Sequence, residues 1–362
     1  MTGPVPRPGV LAIEPYQGGK SKDTSFIGKL SSNEAALGPS PRALEAYAQA
    51  AALVHRYPDG GAQLLREAIA RHHAVELDRV VCGFGSDDIL QLLARGYAGP
   101  GDEVLYSEHG FLIYPIAAHA VGATPVASKD DGYTVSVDNM LNCVGERTRL
   151  VYLANPNNPT GTYIGRDELE RLHAGLPEHV VLVIDSAYAE FVDDPDYDSG
   201  QELASWAPNV VMTRTFSKIY GLAALRVGWA YGAPGIIDVL NRLRGPFNVA
   251  APAQAAAVAA LDDREFFDKA RAHNTRWRDW LFQRLGGLGL SVVPSAGNFL
   301  LIDFGAPERA QAADAYLRDR GWYLRRMESY GFPGHLRLTV GTEAENRGVT
   351  DVLAAFMEPA RG

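Results

Sequence analysis

Cysteine is almost missing from this chain. Its 362 residues hold two, Cys82 and Cys143, and neither belongs to a C-x-x-C pair. A disulfide framework and a cysteine zinc site are therefore not expected. No run of about 18 apolar residues is present, so no membrane span is expected. Positive charge is not in excess either. The formal net charge of −9 argues against nucleic acid as a main partner. The opening stretch MTGPVPRPGV lacks a basic region followed by an apolar one, so no secretory signal is expected and the cytoplasm is the expected location. Lysine is scarce as well. Of 34 basic residues only Lys20, Lys22, Lys29, Lys129, Lys218 and Lys269 are lysine, and arginine supplies the rest. Five of these lysines stand among polar neighbours, whereas Lys218 lies between the apolar runs VVMT and IYGLAAL.

What is present suits a large globular enzyme. The chain is 46% hydrophobic and 21% charged, ample for a core. Its length predicts one large unit with a smaller companion. Residues 1–40 are rich in Gly, Pro and Ser and read as an arm that joins the small domain. Residues 41–250 read as a large domain and 251–362 as the small one. Helical spacing marks 41–57. Seven β-rich runs follow at 79–82, 103–106, 124–127, 150–154, 180–185, 209–213 and 227–231, with helical stretches between them. Apolar strands alternating with helices predict an α/β fold on a mostly parallel sheet. Beyond residue 250 the pattern changes to α+β. One long helix, bent if at all, is expected over 253–285, strands at 298–304 and 335–340, and helices at 308–320 and 343–357.

Polar residues cluster where the seven runs end, and open α/β sheets bind ligands beyond the carboxyl ends of their strands. CGFGSDDIL reads as strand, glycine turn and helix start at Ser86–Asp87, where free N–H groups can hold a phosphate. It reads equally as a glycine turn with a side-chain helix cap. The third glycine of a dinucleotide fingerprint is missing. Asp185 ends a buried run, either as a carboxylate awaiting a cation or hydrogen bonds, or as an N-cap. Around Lys218 lie the hydroxyls of Thr215 and Ser217 and the guanidinium of Arg226. Hydroxyls, an arginine and a helix start suit a phosphate dianion. A desolvated amine beside them suits Schiff-base chemistry. Taken together with the buried carboxylate, these features describe pyridoxal 5′-phosphate.

The stretches KLSSNEAALGPSP, RYPDGGAQLLREAIA, GFGSDDIL, EHGFLIYP, NPNNPTG, DSAYAEF, TFSKIYGLAALRVGW and LRLTVGTEAEN carry a resemblance along almost the whole chain. They resemble the fold-type I, class II aminotransferases that use pyridoxal phosphate, and among them the histidinol-phosphate aminotransferase family. The resemblance implies an α/β fold with a large domain on a seven-stranded, mostly parallel sheet and a smaller α+β domain. It implies Lys218 as the amine bonded to the cofactor and as proton carrier, Asp185 at the pyridine nitrogen, Tyr188 and Asn158 at the 3′-oxygen, and Phe111 stacked on the ring. Ser86, Asp87, Thr215, Ser217 and Arg226 surround the phosphate. Tyr57 arrives from the partner in a homodimer, and Tyr16, Arg325 and Arg337 meet the substrate's anionic group. The implied reaction moves an amino group from histidinol phosphate to 2-oxoglutarate, in histidine biosynthesis. The alternatives are an aromatic amino-acid aminotransferase of the same subfamily and a phosphoamino-acid decarboxylase on the same scaffold.

Three positions depart from the family's pattern: Ser186 where glutamate is frequent, Ala35–Ala36 where Asn-Pro is frequent, and Trp322–Tyr323 where smaller aliphatics are usual. If the two aromatics face the substrate, specificity shifts. The expectation is that they pack within the small domain, because the bulk of an aromatic side chain is usually buried.

Overall fold

A computed structural model describes residues 6–14 and 26–358. Its centre is a seven-stranded sheet: β1 (Val80–Gly83), β2 (Glu103–Ser107), β3 (Thr124–Ser128), β4 (Thr148–Ala154), β5 (Val181–Asp185), β6 (Val210–Thr215) and β7 (Gly228–Gly232). The strands lie in the order β1-β7-β6-β5-β4-β2-β3. All neighbours are parallel except β7, which runs against both β1 and β6. All seven runs anticipated from sequence are strands of this sheet.

Both faces of the sheet are covered, as its apolar strands require. Along β5, Leu182 and Ile184 point into one hydrophobic cluster and Val181 and Val183 into the other. The two-residue period of a strand then places Asp185 on the side of Val181 and Val183. That side also holds the buried Tyr114 and Tyr152.

A second sheet is antiparallel and four-stranded: β8 (Ser291–Val293), β9 (Phe299–Asp303), β10 (Arg325–Arg326) and β11 (His335–Thr339), in the order β10-β11-β9-β8. Helices Pro307–Arg318 and Glu343–Met357 pack on it; the second opens with a capping box between Thr342 and Glu345. Gly28–Lys29 pairs in parallel with Trp322–Tyr323, which fastens this part of the arm beside the second sheet.

Residues 253–285 are not a single helix. Ala251–Asp262 and Arg264–Gly287 meet at Asp263, whose φ and ψ of −93° and 68° leave the helical region. Its carboxylate accepts a hydrogen bond from Phe266 N (3.3 Å) and so starts the second helix. Alanine and other good helix formers fill the sequence on both sides of Asp263 and hide the cap. The helix at 41–57 is also shorter than expected and spans Pro41–Ala51.

Candidate active site

A cavity of about 440 Å³ lies between the carboxyl ends of the central strands and the second sheet. That is an ordinary size for a small-molecule site. Lys218 stands on its wall, three residues past the end of β6, with Nζ 5.5 Å from the centre of the Tyr188 ring.

Asp185 ends β5 and is 5% exposed. Its carboxylate accepts hydrogen bonds from Tyr114 Oη (2.9 Å) and Thr213 Oγ1 (3.1 Å). Burial pushes its pKa up to about 6, against the opposing pull of these two bonds. It makes no helix cap, so of the two sequence readings the buried carboxylate awaiting a partner is the one the structure contains. Tyr114 is fully buried, stacked on Tyr152 at 4.7 Å and set edge-on to Phe111 at 6.0 Å. Burial and the neighbouring carboxylate push its own pKa well up, which keeps the phenol protonated as a donor.

One end of the cavity is a cup for an anion. The helix Ser86–Tyr97 begins after Gly85, and no side chain caps it. Its first N–H groups therefore remain for a ligand. Gly85 has φ +85°, and a Cβ there would lie 2.3 Å from Arg226 Nη2. Arg226 donates to Ser217 Oγ (3.1 Å) and Asp87 Oδ1 (2.6 Å), and Thr215 Oγ1 accepts from Ser217 N (3.1 Å). Ser86, Asp87, Thr215, Ser217 and Arg226 all line this end.

At the other end lie Arg325 and Arg337, both carried by strands of the second sheet, together with Asn158. Arg337 is 5% exposed. It donates to Asn158 Oδ1 and, over 3.0 Å, to Ser31 O. Twelve of the fourteen residues anticipated from sequence line the one cavity. Tyr57 does not: it is 83% exposed and stacks on Phe247 at 4.6 Å. Tyr16 lies outside the described residues.

Trp322 is buried among the apolar residues of the second sheet and its helices, pressed against Gly28 and Gly348. Tyr323 lies beside Arg318, whose guanidinium is 5.4 Å from its ring centre. Neither lines the cavity. Sequence reasoning missed Tyr114 and Asn33. Both sit inside stretches that carry the resemblance, but their partners are remote in sequence.

An amine and a buried carboxylate in one cavity, with an anion cup at one end and two arginines at the other, fit an aminotransferase architecture. The family model for aminotransferases of class I and II matches residues 27–353, and the chain belongs to that class. The curated histidinol-phosphate aminotransferase of Rhodospirillum centenum is 53% identical over 361 residues, covering 99% of this chain and 100% of the relative. That of Rhodopseudomonas palustris strain BisB18 is 51% identical, covering 99% of both. Among solved structures, the histidinol-phosphate aminotransferase of Sinorhizobium meliloti in complex with pyridoxal-5′-phosphate aligns with a TM-score of 0.88 at 29% identity, over 92% of this chain and 91% of that one. Within its class, the chain belongs to the histidinol-phosphate aminotransferase family.

Proposed function

We propose that this protein binds pyridoxal phosphate at Lys218 and transfers the amino group of histidinol phosphate to an oxo acid, with 2-oxoglutarate as acceptor. The observation that carries the reading is the placement of Lys218 and Asp185 in one cavity, with an anion cup at one end and two arginines at the other. The residues fit the cofactor's chemistry: a cup of N–H, hydroxyl and guanidinium donors for a dianion, a buried carboxylate for a ring cation, and an amine for an aldehyde.

When bound, the cofactor supplies an aldehyde for the substrate amine and a ring that accepts the electrons left as Cα loses its proton. The protein's part is to hold and to move protons. Asp185, held by Tyr114 and Thr213, keeps a negative charge where the ring nitrogen needs one. Lys218 Nζ would hold the cofactor's aldehyde carbon and, as a free amine, would serve as the base that moves the substrate's Cα proton. Arg226 and the helix start would hold the phosphate, and Phe111 and Tyr188 would flank the ring. Arg325 and Arg337 take the donor's phosphate in one half-reaction and an acceptor carboxylate in the other. Guanidinium suits both anions, since its planar fork pairs with either.

A homodimer completes the reading. Leu53, Val54, Tyr57 and Leu64 are 54%, 69%, 83% and 74% exposed within one short stretch of chain. Apolar exposure on that scale supports a covered face. Tyr57 then reaches the partner's phosphate cup, while its own cavity receives the partner's tyrosine.

The test is to supply histidinol phosphate, phenylalanine and tyrosine in turn, each with 2-oxoglutarate, and to compare kcat/KM. Histidinol phosphate is expected to be the best donor. A better rate with phenylalanine or tyrosine would establish the aromatic aminotransferase instead.

A further inference from the structure

Asn33 belongs to the arm, is 1% exposed and has φ 54°, a left-handed conformation that asparagine tolerates better than most residues. Every polar group it has is engaged. Its backbone N donates to Thr339 Oγ1 (2.9 Å), its carbonyl accepts from Asn298 Nδ2 (3.0 Å), and Thr339 Oγ1 donates to Asn33 Oδ1 (3.2 Å). That leaves Nδ2, which lies 2.8 Å from the phenol oxygen of Tyr188.

The direction of this last bond is fixed by its neighbours. Thr339 Oγ1 has a single hydrogen and already accepts the Asn33 N–H. With the amide as placed, that hydrogen goes to Oδ1. Turned over, the amide would leave it buried without an acceptor, since Thr339 is only 3% exposed. The nitrogen therefore faces Tyr188, and an amide nitrogen only donates. Tyr188 must accept there, so its own hydrogen is directed elsewhere. The Tyr188 ring is held against Phe299 at 5.1 Å, and Tyr188 lines the cavity beside Lys218 and Asn158.

We infer that Asn33 is a positioning residue for the cofactor: by donating to Tyr188 it makes that phenol a hydrogen-bond donor to the cofactor's ring oxygen. The inference rests on the reading that pyridoxal phosphate occupies this cavity. It also connects the two ends of the site. Thr339 and Arg337 are two residues apart on β11 and share a face, and Arg337 bonds Ser31, two residues before Asn33. The segment Ser31–Asn33 thus ties the substrate's arginine strand to the tyrosine at the cofactor.

A donated hydrogen bond favours the anionic form of the ring oxygen, so losing it raises the pH at which the bound cofactor's absorbance titrates. The experiment measures that midpoint in the holoenzyme. Asn33→Gly tolerates the left-handed backbone and removes the donor. Asn33→Asp keeps the shape but supplies an acceptor, which draws the phenol hydrogen away from the cofactor. Both are expected to raise the midpoint by roughly half a pH unit or more, Asn33→Asp further, with kcat lowered more than KM changes. In a Tyr188→Phe background, Asn33→Gly is expected to add no further shift. An unmoved midpoint in Asn33→Gly overturns the inference, as does a shift of the same size without the Tyr188 hydroxyl, which would mark a merely structural role. A wild-type protein with no titrating chromophore overturns the cofactor reading itself, and this inference with it.

Discussion

Arg325 and Arg337 are cross-strand partners in the antiparallel pair β10–β11. Like charges placed opposite each other weaken a sheet. Here both side chains line the cavity, so an anion between them turns repulsion into a paired site. Arg337→Ala is expected to lower kcat/KM by about tenfold to 150-fold, as the loss of a charge-assisted bond of ~1.5–3 kcal/mol gives. The loss should appear in both half-reactions, measured separately by single-turnover absorbance. A loss confined to the donor half would mean that the acceptor uses another site.

Lys218→Ala is expected to abolish turnover while leaving the far-ultraviolet circular dichroism unchanged. Borohydride treatment of the wild-type holoenzyme should fix the cofactor on Lys218. With six lysines in the chain, a peptide digest identifies the modified one without ambiguity. Trapping on any other lysine would remove Lys218 from its role.

Asp185 supplies a prediction about stability. Burial raises its pKa from 3.8 to about 6 in the ligand-free protein, so the folded state binds this proton more tightly than the unfolded one. Stability from this group is therefore present below pH 4 and is lost as pH rises to about 6. The ligand-free Asp185→Asn protein should melt at a higher temperature than ligand-free wild type at pH 7.5, with the gap closing toward pH 4. The same substitution should nearly abolish catalysis. An equal or lower melting temperature at pH 7.5 would show that the carboxylate is not a strained group.

Tyr57→Phe and Lys218→Ala proteins, mixed under conditions of subunit exchange, test the shared site. Heterodimers should recover activity, because one of their two cavities is wholly native. Sedimentation of the wild type should give a dimer at assay concentration. A fully active monomer would disprove the sharing.

The central sheet was legible because its strands are apolar on both faces and separated by helices. The small strands β8 and β10 were not. They are three and two residues long, too short to show a period, and β10 consists of two arginines. The break at Asp263 was missed because a one-residue cap leaves the helical pattern on both sides intact. Within the cavity, groups announced by local sequence, such as the strand-end carboxylate and the hydroxyls around Lys218, could be named in advance. Tyr114 and Asn33 could not, since their bonds to Asp185 and Tyr188 span 71 and 155 residues. Their significance comes from which strand face and which arm residue the fold brings together.

The reversed strand β7 has a further consequence. Because Thr215 on β6 lies opposite Gly228 on β7, the chain leaves the central sheet and returns to it at the same edge. Lys218 and Arg226 both belong to that short return, so under the proposed function one segment would carry both the covalent anchor and the phosphate anchor of the cofactor. Arg325 and Arg337 are carried by the other sheet. Under the proposed function the two sheets act as a caliper, one jaw holding the cofactor and the other the anionic tail of the substrate. A donor is then expected to be selected by its length from reacting carbon to anion, which must match the span between Lys218 and the two arginines.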